Sequence, residues 1–222
     1  MASLVPLYLL PGLGADARMF REQQKAFPQL VVPPWIPPLP NETLGQYSRR
    51  MMEAINPRGP FYLGGASFGG MIACEMAQVR PPLGLFLLSS GRSTRYMKRW
   101  VRQASSIAPL AKILPWNTAA LLAELGLALP GKMVPFRLRV LLKHLHLDQV
   151  EFMRWGLPAV LQWKASEWTG DFPIHQLHGE RDPFLLPLLP HAQVVPGGGH
   201  LLTKTHPEVV NQFLKERMVE AG

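Results

Sequence analysis

Short apolar runs ending in Gly, Ser or Pro recur along the chain, at Leu4 to Leu10, Leu30 to Val32, Phe61 to Leu63, Leu83 to Ser89, Ile174 to Leu177 and Gln193 to Val195. Apolar runs this short, bounded by turn formers, predict strands buried on both faces, as in a parallel sheet. Helical patterns fill most of the gaps: Ala15 to Ala26, Glu42 to Ile55, Phe68 to Val79 and Pro207 to Met218. In the last of these, Val209, Val210, Phe213 and Leu214 fall on one face, as in an amphipathic helix. Alternating strands and helices predict an α/β fold with helices on both faces of a mostly parallel sheet.

The alternation stops between Arg92 and Gly170, where the pattern is helical, rich in Trp, Leu and Arg, and without a convincing strand. The expected organisation is therefore a core of residues 1–91 and 171–222, with a helical cap of residues 92–170 inserted between two strands. Five of the six tryptophans lie in that insertion: Trp100, Trp116, Trp155, Trp163 and Trp168. Aromatics at helical spacing read first as packing that seats the cap on the body. Trp100, Trp155 and Trp163 are also candidates to line a substrate pocket. The proline-rich run from Pro33 to Pro40 sits between a strand and a helix start and reads as a rigid connecting loop rather than a partner-binding segment. Asn41-Glu42-Thr43 matches a glycosylation sequon but reads as a helix N-cap ahead of Leu44, Tyr47 and Met51.

Composition narrows the class. Of 222 residues, 47% are hydrophobic and 17% charged, which suits a packed globular chain and not a disordered one. The single cysteine, Cys74, excludes an intrachain disulfide and a cysteine-based zinc site. A reducing, cytoplasmic setting is expected. Met1 to Leu10 lacks a basic start and runs into Pro11-Gly12-Leu13-Gly14, so it reads as a strand and not a signal peptide. No apolar stretch approaches the roughly 20 residues that a membrane-spanning helix needs. The net charge of +8 lies wholly in the insertion: residues 92–170 carry twelve Lys and Arg against four Asp and Glu, and the remainder holds eleven of each. A neutral body without a binding motif argues against nucleic acid as a partner. The basic insertion is either a solvated face or a device that attracts anionic substrates or an anionic lipid surface.

The strongest chemical signal is Gly65-Ala66-Ser67-Phe68-Gly69, between the run Phe61 to Leu63 and a helix start. G-x-S-x-G at a strand-to-helix turn is a nucleophile elbow: the turn is too tight for side chains two places either side of the serine. It sets Ser67 at a helix N-terminus, where free N–H groups favour developing negative charge. A serine hydroxyl needs a histidine to take its proton, and the histidine needs a carboxylate to fix its tautomer. In the elbow architecture the chain order is Ser, acid, His. Here Ile174 to Leu177 leads into His178-Gly179-Glu180-Arg181-Asp182, and Gln193 to Val195 leads into Pro196-Gly197-Gly198-Gly199-His200. Asp182 is favoured as the acid, with Glu180 its nearest competitor, and His200 as the base among seven histidines. An acid after the preceding strand is ruled out because that strand ends in Ser89-Ser90-Gly91. Acyl transfer also needs backbone donors for a tetrahedral oxyanion. Phe68, next after the serine, should supply one. Leu13, preferred over Gly12 and Gly14 in the loop after the first strand, should supply the other.

Gly12-Leu13-Gly14-Ala15-Asp16-Ala17 also fits the dinucleotide-binding fingerprint, which requires an acidic residue at the end of the second strand. That strand runs into Pro33-Pro34-Trp35 instead, so a nucleotide site is not expected.

With these motifs in this order over nearly its whole length, the chain resembles the α/β-hydrolase fold superfamily, in particular small bacterial serine hydrolases of the esterase type with a helical cap. The resemblance implies a carboxylesterase-like enzyme that forms an acyl-enzyme on Ser67, with His200 as base and Asp182 orienting it, and with no metal or organic cofactor. Thioesterase, lipase-like, acyltransferase and carbon–carbon hydrolase activities use the same parts, and a non-catalytic ligand-binding member of the fold is a further alternative. The family's usual first strand pair is absent, which implies a shortened sheet of about six strands. The uncovered edge would need cover or a partner, and a homo-oligomer would provide it. The expected ligand is a small ester, with no stable membrane insertion.

Overall fold

The structure, a computed structural model, describes residues 4–103, 150–168 and 170–220. Six strands form one sheet in the order β2-β1-β3-β4-β5-β6, every pair parallel: β1 (Leu7–Leu10), β2 (Leu30–Val31), β3 (Tyr62–Ala66), β4 (Leu85–Leu88), β5 (Ile174–Gly179) and β6 (Gln193–Val195). The edge strands β2 and β6 are the two shortest, which limits the unpaired backbone the sheet presents. Register aligns Leu10 with Gly65, Ala66 with Leu88, and Leu88 with Leu177, so the carboxyl ends of the central strands meet at one edge of the sheet. In open α/β sheets that edge is where ligand-binding loops gather.

Because successive strand residues face opposite ways, the sheet feeds two cores. Leu10, Leu63, Leu85 and Leu87 pack with α2 (Leu44–Ile55) and α3 (Phe68–Val79). Leu7, Leu9, Tyr62, Phe86, Leu88 and Leu177 pack on the other face, with Phe20, Leu202, Val210, Phe213 and Leu214. That second face is covered by α1 (Arg21–Ala26), α6 (Leu202–Thr205) and α7 (Pro207–Glu220).

Local chemistry sets the helix ends. Thr43, the N-cap of α2, forms a capping box with Gln46, so the helix starts at Leu44 and not at Glu42. The helix expected from Ala15 begins later. Asp16 accepts from the Arg18 N–H and caps a 3₁₀ turn (Ala17–Phe20), and α1 starts only at Arg21. The short α6, which follows His200 closely, has no counterpart in the sequence reading.

Within the expected cap, the described residues form a 3₁₀ turn (Thr94–Tyr96), α4 (Arg99–Gln103), α5 (Val150–Leu161) and an irregular stretch from 162 to 168. The segment 104–149, with Trp116, His144 and His146, lies outside the described residues. Met97 makes an antiparallel bridge to Leu185, Lys98 N–H donates to Phe184 O at 2.8 Å, and Leu186 N–H donates to Tyr96 O at 2.7 Å. The first residues of the insertion are thereby stitched to the loop after β5. Among the described residues, no helix is long and apolar enough to cross a membrane.

Candidate active site

β3 delivers Ser67 into a backbone conformation that non-glycine residues rarely adopt, with φ 52° and ψ −118°. The glycines around it explain why the turn closes. A Cβ on Gly65 would collide with the Gly69 backbone, and one on Gly69 would collide with the carbonyl oxygens of Leu10 and Pro11. The elbow is pinned from β4: Ser67 N–H donates to Leu88 O at 3.0 Å, and Ser90 Oγ donates to Ser67 O at 2.6 Å. Gln176 of β5 in turn holds Ser90 through Nε2 to Ser90 O at 2.7 Å. Ser90, in the Ser89-Ser90 pair that carries no acid, is therefore part of the elbow's support.

His200 arrives on the loop after β6. Its Nε2 lies 2.8 Å from Ser67 Oγ and its Nδ1 lies 2.7 Å from Asp182 Oδ2. Since a carboxylate only accepts, Nδ1 carries the proton and Nε2 is the acceptor that faces the serine hydroxyl. The two loops hold each other: Glu180 N–H donates to Val195 O, Arg181 N–H to Gly198 O at 2.8 Å, and Gly197 N–H to Glu180 Oε2 at 2.8 Å. Glu180 thus binds the histidine loop's backbone on an exposed surface, while Asp182 meets the imidazole. Of the other histidines, His175 stacks on Phe86 and His206 meets the Thr205 hydroxyl.

Asp182 is fully buried. Burial by itself would raise its carboxyl, but the His200 hydrogen bond and charge, the Phe184 N–H and the nearby His178 outweigh that and hold it below the usual carboxylate range. Its Oδ1 accepts from Phe184 N–H at 2.8 Å and Leu185 N–H at 3.1 Å. The ionised form that an imidazolium needs as its counter-charge is the stable one.

Gly12 cannot serve as an oxyanion donor, because its N–H is taken up by the buried Met19 Sδ at 3.3 Å. The N–H groups of Leu13 and Phe68 meet no acceptor among the described residues. The Phe68 ring is packed against Trp35, Phe152 and Trp155, with centroids 5.7, 5.8 and 6.1 Å away. Trp35 comes from the proline-rich run, so that loop is more than a connector: it inserts an aromatic wall, tied down by Tyr47 OH donating to Ile36 O at 2.9 Å. No helical or strand periodicity marks Trp35. A lone tryptophan in a stiff proline segment was the available signal.

The three tryptophans named as pocket candidates diverge. Trp155 packs on Tyr47 and donates its indole N–H to Glu42 O at 2.8 Å, and it shares the aromatic cluster beside Phe68. Trp163 is buried and donates to Glu75 Oε1 of α3 at 2.7 Å, which makes it an anchor. Trp100 is 54% exposed, donates to Pro183 O at 3.0 Å, and neighbours Phe184, whose ring lies 4.9 Å from that of His200.

A parallel α/β sheet with a serine elbow, a buried acid and a histidine at its carboxyl edge defines a hydrolase of the α/β class. The family model described as "Alpha/beta hydrolase family" matches residues 7–213, and the chain belongs to that family. No curated protein sequence matches it significantly. Among solved structures it is similar to a thermophilic esterase from Thermogutta terrifontis, at 18% identity over 99% of this chain and 91% of that one, with a TM-score of 0.72. It is also similar to ClbQ from the colibactin NRPS/PKS pathway, at 18% identity over 99% and 98% of the two chains (TM-score 0.65). A third similar structure is the N-acyl homoserine lactonase AidH, at 14% identity over 99% and 90% (TM-score 0.67). At these identities the likeness is one of fold.

Proposed function

We propose that the protein is a serine hydrolase acting on carboxylic esters through an acyl-enzyme intermediate. The observation that carries this reading is the unbroken chain from Ser67 Oγ to His200 Nε2 and from His200 Nδ1 to Asp182 Oδ2, at 2.8 and 2.7 Å. Ser67 attacks the ester carbonyl as His200 takes its proton, and the ionised Asp182 stabilises the imidazolium. The Leu13 and Phe68 N–H groups receive the oxyanion, each such donor being worth about 3 to 4 kcal/mol. His200 then returns the proton to the departing alcohol, and a water activated in the same way releases the acid. Residues 92–170 act as the cap, which sets which acyl and alcohol groups fit. The esterase and lactonase among the similar structures support the choice of an ester bond, since a lactone is a cyclic ester.

The test is covalent labelling by a small fluorophosphonate, followed by peptide mapping, together with hydrolysis of nitrophenyl esters of increasing chain length and an acyl homoserine lactone. Labelling on Ser67 with ester turnover is expected. A protein refractory to the reagent and inert to every ester would overturn the reading in favour of a ligand-binding role.

A further inference from the structure

The carboxylate of Asp182 lies beside two histidines. His178, at the end of β5, is completely buried, and its Nε2 lies 3.4 Å from Asp182 Oδ2, the oxygen that His200 uses. The same Nε2 lies 3.1 Å from Leu185 O. Both neighbours accept only, so Nε2 carries the proton and donates, chiefly to Leu185 O. Leu185 is also the residue whose N–H binds Asp182 Oδ1. The imidazole therefore holds the turn Asp182-Pro183-Phe184-Leu185 at the Leu185 carbonyl, with the carboxylate beside it.

His178 stays neutral in this place. Burial disfavours its cation most, opposed by the charge of Asp182 and the Leu185 carbonyl, while His200 and Lys98 push further toward the neutral form. Its Nδ1 is buried with no partner among the described residues, so a second ring proton would have no acceptor. These are the titratable and charged groups that face it. A cation at this position would draw the carboxylate's charge away from His200. A neutral donor fixes the loop and leaves that charge in place.

We propose that His178 is a positioning residue: by donating Nε2–H to Leu185 O it fixes the residue whose own N–H binds Asp182 Oδ1, and so sets the carboxylate toward His200. The role rests on reading Ser67, His200 and Asp182 as the reacting groups.

Two variants separate this role from simple packing. His178→Phe keeps the ring volume and loses the donor, whereas His178→Gln sets an amide N–H where Nε2 was. In His178→Phe, kcat should fall about tenfold with KM little changed, as expected for losing a buried hydrogen bond that holds the carboxylate's turn. The downfield proton resonance of the His200–Asp182 hydrogen bond should shift or vanish with it. His178→Gln should recover both, with kcat within about threefold of the parent. If His178→Phe does not fold, His178→Asn, whose amide sits at the Nδ1 position, carries the same expectation. A folded donorless variant with parental kcat and resonance overturns the proposal, as does a glutamine variant no better than phenylalanine. Fluorophosphonate labelling keeps the two levels apart. A parent protein that resists labelling sinks the hydrolase reading and this role with it, whereas equal labelling rates in parent and His178→Phe sink this role alone.

Discussion

The backbone N–H of Gly12 donates to the thioether sulfur of Met19, fixing the loop that follows β1 directly beside Ser67. Sulfur is a weak acceptor, but here it removes Gly12 from competition and leaves the next N–H, that of Leu13, without an acceptor among the described residues. Met19→Leu keeps the volume and strands a buried donor. Stability should fall by about 1 to 2 kcal/mol, read from urea unfolding. Because an oxyanion exists only along the reaction path, kcat should fall severalfold while KM holds. A leucine variant with unchanged kcat would separate Met19 from the oxyanion loop's geometry.

Ser67→Ala should lower ester hydrolysis by about 10⁵ to 10⁶ if the three groups act as a unit. Asp182→Asn should cost about 10⁴, since an amide favours the wrong imidazole tautomer. Steady-state rates on a nitrophenyl ester check both, with the alanine protein as blank. Near-parental activity in either would remove that residue from the mechanism.

Glu75 lies buried on α3 and accepts three hydrogen bonds from the stretch after α5: Trp163 Nε1 at 2.7 Å, Ser166 N–H at 3.0 Å and Ser166 Oγ. Glu75→Ala strands the indole N–H and leaves a void, and should cost about 3 kcal/mol in unfolding free energy. Trp163 fluorescence should become more accessible to a soluble quencher at the same time. If quenching is unchanged, the stretch is held by packing alone.

Stability should decline with acid in two stages. The unfolded chain takes up a proton at His178 near its ordinary value of 6.5, whereas the folded protein resists it, so folding weakens as pH falls through that value. Asp182, held low in the folded state, adds a second loss as pH falls below about 3.8 toward its folded value. Either group alone contributes a slope of at most about 1.4 kcal/mol per pH unit. Comparing unfolding of the parent and His178→Gln between neutral and mildly acid pH isolates the first stage. Identical pH slopes in the two proteins would contradict the buried neutral imidazole.

Buried strands and the elbow were legible because their causes are local. The run from Leu4 to Leu10 is apolar on both faces, and the tight turn at Ser67 demands Gly65 and Gly69, so pattern and spacing suffice. Asp182 and His200 were legible because the order of strands brings their loops to one edge. Helix starts were less so: Asp16 caps a 3₁₀ turn in place of the expected helix, a local hydrogen bond that periodicity does not register. His178 carries no such mark in the sequence. Its meaning lies in a carbonyl seven positions away, presented by a loop whose path the sequence does not state.

By itself, the sequence determined the parallel sheet, its two cores, the serine elbow and the order of its partners, since these follow from side-chain period, turn sterics and chain order. Tertiary structure alone decided what surrounds them. Trp35 reaches Phe68 from a proline loop, Ser90 pins the Ser67 carbonyl, Met19 occupies the Gly12 N–H, and Trp163 anchors on Glu75 across 88 positions of chain. Apart from Met19, seven positions from Gly12, each joins segments distant in sequence, and in every case the partner is selected by packing in three dimensions rather than by any periodicity along the chain.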